Sequence, residues 1–241
     1  MVAVLLAAAA ALPSPAELPT VPRLTQDAEP VYCAGVRGRA FALTFDDGPS
    51  PYTPALVRVL RRAHARATFF DVGSRVGYWP SAVRASTRVG EIGNHTWTHA
   101  PLPDLRPTAA RRELLATQAA IGRTVGVVPR LFRPPYDEAT PRIELLARAL
   151  GLLDVRWSVD GSDSLAGTTP RTVLRTVTRA LRPGAIILLH DPHPTTAAVA
   201  RRVLRVAARR RLVAVTVSEL LARQPPSLRQ LRSTGAERCP P

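Results

Sequence analysis

Seven short apolar runs, each followed by a stretch of helical periodicity, constrain the fold of this 241-residue chain more than any other feature. The runs lie at 40–45, 67–72, 91–94, 131–133, 152–159, 185–189 and 212–215. The helical stretches lie at 54–65, 80–89, 108–122 (closing near Gly122), 141–150, 170–181, 196–210 and 217–223. Regular alternation of this kind predicts parallel strands joined by right-handed crossovers. Ala185-Ile186-Ile187-Leu188-Leu189 is apolar throughout, as in a strand covered on both faces. Seven repeats fit an α/β fold built as a closed or nearly closed barrel, with an open doubly wound sheet as the alternative. Residues 39–223 read as this one domain. The stretch 13–30, rich in Pro and polar residues, reads as a linker, with 17–38 as linker and N-terminal tail of the domain, and 224–241 as a C-terminal tail without a convincing period.

The reactive side chains fall at one kind of place on that map. Asp46 and Asp47 end the first strand, where Gly48-Pro49 stops the ladder. His95 ends the third, Arg133 the fourth, Asp160 follows the fifth and His190 ends the sixth. In a parallel barrel these C-terminal ends share one face, the face that carries active sites. Asp46-Asp47 alone reads equally well as a solvated turn. Two adjacent carboxylates nevertheless repel, and a cation taking one of them would resolve the conflict and leave the other free as a base. His95 and His99 stand four apart, a spacing that on a helical turn would aim both at one ion. With Asp47 they make a His-His-carboxylate set with an open position for water, next to Asp46 as base and His190 as a candidate acid.

Other features concern compartment and charge. Met1 to Leu12 is almost wholly apolar and too short to span a bilayer. Followed by Pro13-Ser14-Pro15-Ala16, residues 1–16 fit an export segment, although no basic residue precedes the apolar run; a flexible tail is the alternative. Cys33 and Cys239 are the only cysteines and suit one disulfide in an exported protein, or two free thiols. The 33 basic residues, all Arg, exceed 18 acidic ones and give a net charge of +15, which favours anionic polymers. Arg201, Arg202, Arg205, Arg209, Arg210 and Arg211 read as a solvated helix face or as a surface for wall polymer. His64 reads as solvated, and His193 as a rim residue. No phosphate-binding loop, dinucleotide fingerprint or Gly-x-Ser-x-Gly elbow is present.

Five segments in order carry a resemblance: Thr44-Phe45-Asp46-Asp47-Gly48-Pro49, His95-Thr96-Trp97-Thr98-His99, Arg133-Pro134-Pro135-Tyr136, Asp160-Gly161-Ser162-Asp163 and Leu188-Leu189-His190-Asp191. Together they resemble the five motifs of the NodB-homology polysaccharide deacetylases, carbohydrate esterase family 4, over about 39–222. The resemblance implies a distorted (β/α)7 barrel. It implies Asp46 as base, with Asp47, His95 and His99 as ligands of a divalent metal, Zn2+ first and Co2+, Ni2+ or Mn2+ as alternatives. It implies His190 as acid, Asp163 tuning it, Arg133 orienting Asp46, and the Tyr136 amide holding the oxyanion.

The expected substrate is an N-acetylated polysaccharide or cell-wall glycan, and the expected protein is a secreted or wall-associated monomer with no membrane span and no nucleic-acid partner. Acetylxylan ester hydrolysis is a second reading, and a non-catalytic cationic wall-binding protein a third. Two positions depart from the family pattern. Ser164 follows Asp163 where Trp is usual, and Asp137 follows Tyr136 where Gly is usual. Asp tolerates left-handed backbone better than most residues, so the second turn is compatible with it.

Overall fold

The computed structural model describes residues 20–27, 29–232 and 239; the apolar segment at 1–16 lies outside them. The chain runs α1 (Thr20–Asp27), β1 (Ala40–Gly48), α2 (Thr53–Arg62), β2 (Ala67–Asp71), α3 (Gly73–Val76), α4 (Pro80–Ser86) and β3 (Gly90–Asn94). It continues with α5 (Pro107–Val125), β4 (Leu131–Phe132), α6 (Pro141–Ala149), β5 (Leu153–Asp154), β6 (Val159–Asp160) and α7 (Pro170–Ala180). β7 (Ile186–His190), α8 (Thr196–Arg209), β8 (Val213–Val215), α9 (Val217–Arg223) and α10 (Leu228–Arg232) complete it.

All paired strands are parallel, in the order β5-β4-β3-β2-β1-β7-β6, a curled half-barrel of the (β/α)7 kind. β1 is the central stave. It pairs with β7 along one edge and with β2 along the upper half of the other, and β8 pairs below β2 with Ala40–Ala42. Its side chains Phe41, Leu43 and Phe45 point into one apolar layer with Leu56, Leu60, Phe69 and Ile187, all fully buried. Ala40 and Ala42 face a second layer with Ile186, Val215 and Leu220. Period-2 burial on both faces is what keeps β1 wholly inside.

Three sequence expectations change. The run at 152–159 is not one strand: it breaks into β5, paired with β4, and β6, paired with β7, at opposite ends of the sheet. Between them Val155 bridges Val31, and Val155 O and Arg156 O accept from the Arg133 guanidinium at 2.9 Å each. The proline-rich stretch read as a linker contains α1, whose Val21 and Leu24 pack among Leu220, Leu221 and Leu231. Beyond α1, Val31 bridges Val155 and Cys33 bridges Ala185, so this segment spans the gap between the sheet's two ends. Finally, α5 runs through Gly122 and stops at Gly126, whose φ of +75° provides the left-handed cap.

The C-terminal segment adds a strap across the same end. Leu231 of α10 is buried, and Gln230 donates to Ala34 O at 3.0 Å. Cys33 and Cys239 form a disulfide over a separation of 206 residues. The loop-entropy relation assigns a bridge of this span roughly 5 kcal/mol as an upper value. Replacing Cys33 by Ser should therefore cost about 2–5 kcal/mol in urea denaturation, with activity of the folded fraction unchanged, since the bridge lies at the end of the sheet away from the reactive side chains.

Candidate active site

The reactive groups stand at the upper ends of the strands, with Asp46 and Asp47 both on β1. Asp46 pairs in register with His190 on β7, so the two stand on adjacent strands at the same height. Gly48 pairs with Asp71, and Asn94 pairs with Phe132, one residue before Arg133. The ends of the strands, not any helix, therefore set the geometry of the site.

Arg133 is fully buried. Its Nη1 donates to Asp46 Oδ1 at 2.7 Å and to Thr44 Oγ1 at 2.8 Å. Its guanidinium carbon lies 4.2 Å from the centroid of Phe70. Burial pushes its pKa down, and the Asp46 charge opposes that shift. Asp46 is held by one oxygen, leaving Oδ2 free toward the site, 3.8 Å from His95 Nε2.

Asp47 turns outward on a left-handed residue, φ +66°. Its Oδ1 lies 3.1 Å from His99 Nε2 and 3.4 Å from His95 Nε2. That oxygen is buried without a well-aligned hydrogen bond to either. His95 Nδ1 stands 2.7 Å from Arg133 O; a carbonyl only accepts, so Nδ1 carries a hydrogen and Nε2 faces Asp47. Burial favours the neutral Asp47 carboxyl, but His95 and His99 outweigh it and hold the group well below the usual carboxylate range. Donor atoms of Asp47, His95 and His99 all lie within 4.8 Å of one another. A convergent carboxylate and two imidazole nitrogens fit a divalent cation.

The two histidines do not meet on a helical turn. Residues 95–99 form a loop with Thr96 at φ +63° and His99 at φ +63°. Neighbouring polar groups build it. Asn94 Oδ1 accepts from Thr96 N at 2.9 Å, and Glu113 of α5 accepts from Trp97 N at 2.8 Å and Thr98 N at 2.7 Å. The spacing of four thus brings both rings together through a backbone reversal. Sequence periodicity carries no sign of that.

Across the cleft, His190 Nδ1 pairs with Asp163 Oδ1 at 2.8 Å, while Asp163 Oδ2 accepts from His190 N at 2.9 Å. Burial disfavours the imidazolium. The Asp163 hydrogen bond and the fields of Asp46, Asp163 and Asp47 outweigh it, pushing the pKa up to about 9. Tyr136 sits at φ +60° on the rim, with its hydroxyl 3.2 Å from His99 Nδ1.

Several residues without an assigned role in the sequence support these groups. Asp137, where the family pattern has Gly, adopts φ +61° and pairs its carboxylate with Arg156. Arg156 also donates to Asp137 O at 2.7 Å and to Asp154 Oδ1 at 2.7 Å, making a clamp beneath Tyr136. Asp71 and Asp191 flank Gly48: a Cβ there would stand 2.7 Å from Asp71 Oδ1 and 3.3 Å from the Asp191 carboxyl carbon, so only glycine fits. Burial, then the Asp191 charge, pushes the Asp71 pKa well up. Burial also raises Asp191, against hydrogen bonds from Ser50 and Thr53. These carboxyls lie far apart in sequence, and only the adjacency of β1, β2 and β7 brings them together.

With the geometry in view, a family model described as Polysaccharide deacetylase matches residues 34–155. The chain belongs to that family. It is 35% identical over 192 residues to the peptidoglycan-N-acetylglucosamine deacetylase PgdA of Listeria monocytogenes, covering 78% of this chain and 37% of that protein. The chain thus spans little more than a third of that relative's length. It is 38% identical over 159 residues to the chitooligosaccharide deacetylase of Bradyrhizobium sp., covering 65% of this chain and 72% of that protein. Among solved structures, the family 4 carbohydrate esterase from Streptomyces lividans in complex with acetate superposes with a TM-score of 0.70 at 34% identity, covering 73% of this chain and 92% of that one.

The clamp gives a test of this polysaccharide deacetylase fold at its departure from the pattern. Arg156→Met leaves Asp154 buried and unpaired, so chemical denaturation should report a loss of about 3–5 kcal/mol. Asp137→Gly should cost far less, because glycine takes the same backbone angles without strain.

Proposed function

We propose that the chain is a metal-dependent hydrolase that removes acetyl groups from N-acetylglucosamine-containing glycans, chitin oligomers or peptidoglycan. The observation that carries this reading is the convergence of Asp47, His95 and His99 on one side of Asp46, with the Asp163-paired His190 on the other. A divalent ion bound there, Zn2+ being the first choice for two imidazoles and a carboxylate, supplies Lewis acidity that lowers the pKa of a water and polarises the acetyl carbonyl. Co2+, Ni2+ and Mn2+ suit the same donors.

The protein's own groups do the rest. Asp46 Oδ2 takes the proton of the attacking water, since Oδ1 is engaged by Arg133. Arg133 fixes that carboxylate's direction. The Tyr136 amide, on its left-handed turn, faces the developing oxyanion. His190 gives a proton from Nε2 to the departing amine, because Nδ1 is held by Asp163. The bond that breaks is the amide C–N, leaving acetate and a free amine.

Residues 39–223 form the catalytic domain in this reading, the described parts of the flanking segments (20–27, 29–38, 224–232 and 239) brace it, and 1–16 directs export to the cell wall. Among the described residues no helix is long and apolar enough to cross a membrane. Acetylxylan ester hydrolysis uses the same groups; acetate release from N-acetyl and O-acetyl glycans in parallel, with and without chelator, separates the two. Equal release with and without chelator would overturn the metal-dependent reading.

The two neighbouring aspartates should separate cleanly. Asp46→Asn should keep metal content, measured by elemental analysis, and lose roughly 10²–10⁴-fold in turnover. Asp47→Asn should lose the metal.

A pH profile tests the acid. His190 protonated is the working form, so activity should fall as pH rises through its pKa, which lies at or below about 9 because a bound cation would lower it. His190→Ala should remove that alkaline limb without changing metal content. Hydrolysis of an amide should suffer more than that of an ester with a good leaving group.

A further inference from the structure

Outside the catalytic face, the largest unexplained feature is a wall of arginines. α8 packs against both α7 and α2, so the three helices form one continuous stretch of outer surface. α2 carries Arg58, Arg61 and Arg62, and α7 carries Arg171, Arg175 and Arg179. α8 carries Arg201, Arg202, Arg205 and Arg209. All ten are exposed, and none of the three helices contains an acidic residue. Among the described residues none of these side chains enters an ion pair or hydrogen bond.

Two rows are regular. Arg171, Arg175 and Arg179, like Arg201, Arg205 and Arg209, repeat at four-residue intervals and line one side of their helix with a charge about every 6 Å. Like charges at this spacing destabilise a helix, and no Asp or Glu lies between Pro192 and Ser218 to offset them. The arginines at the helix C-termini compensate the helix dipole; those in mid-helix do not. At the foot of α2 and α8, Arg62, Arg201 and Arg205 rim one groove of about 570 Å3, so a single ligand reaches both helices.

The chemistry of the occupant follows. Guanidinium groups suit phosphate, which they bind in bidentate fashion. Neither α2, α7 nor α8 carries an aromatic residue, so there is no platform on which bases stack and nothing to wedge into a bilayer interface. We propose that the α2–α7–α8 face binds a flexible, base-free polyanion bearing phosphate groups, holding the protein on an anionic wall polymer. Thr196, at the start of α8, contacts Asp163, so the wall begins at the rim of the cleft and runs away from it. A polymer seated there leaves the catalytic mouth open.

The test uses the full chain and long-chain inorganic polyphosphate, with affinity measured against NaCl. Binding should persist near 0.15 M salt and fall steeply above it. Changing Arg201, Arg202, Arg205 and Arg209 together to Gln should weaken it at least ~10-fold and shrink the logarithmic salt slope by up to ~0.7 per arginine removed. The corresponding four Lys changes should keep the salt slope but weaken binding, less than Gln does, because the charge stays and the bidentate fork is lost. Asp46→Asn should bind as the parent does, which separates this inference from the catalytic reading. The Gln variant should melt no lower than the parent, since like-charge pairs are removed. The proposal is overturned if binding is absent at 0.15 M salt or survives the Gln changes undiminished. It is equally overturned if single-stranded DNA, duplex DNA or anionic vesicles bind as tightly as polyphosphate.

Discussion

The buried guanidinium of Arg133 is the interaction on which the site and the sheet both depend. It is fully buried, stacked over Phe70, and joined to Thr44, Asp46, Val155 O and Arg156 O. Removing one partner from such a buried, fully hydrogen-bonded ion pair leaves a charge with nothing to balance it. One side chain thereby couples the Asp46 carboxylate on β1 to the segment that crosses the barrel's open side. The gap between β5 and β6 lies where Arg133 holds the carbonyls of Val155 and Arg156.

Much of this architecture was legible in the chain. Apolar runs such as 185–189 and 40–45 have few other uses in a sheet buried on both faces, and Pro at the start of α2, α4 and α5 marks helix entry. The placing of Asp46, His95, Arg133 and His190 at strand ends followed from the same map. What stayed hidden was non-local. The division of 152–159 into β5 and β6 coincides with hydrogen bonds from a side chain 22 residues upstream, and α1 packs on Leu220 and Leu221 at the other end of the sequence. Local periodicity carries no such information, because tertiary contacts override propensity there.

The loops show the same division. Of the non-glycine residues with positive φ, Asp47, Thr96, His99, Tyr136, Asp137 and Ser162 all fall in or beside the five motifs. Such conformations cost about 1–3 kcal/mol each and persist only where surrounding bonds enforce them. Here Glu113, Asn94 and the Arg156 clamp supply that enforcement. The substitution of Gly by Asp137 is accommodated because its carboxylate gains an arginine on the far side. Nothing in the structure explains Ser164.

The bond between Cys33 and Cys239 makes the folded chain a covalent ring. Every strand of the described residues, and Asp46, Asp47, His95, His99, Arg133 and His190 with them, lies between those two cysteines, so one peptide bond cut in any exposed loop of the ring opens it without dividing it. Two fragments made by a single nick within the ring remain covalently tethered through Cys33 and Cys239. Release of a fragment requires two cuts within the ring or a reductant.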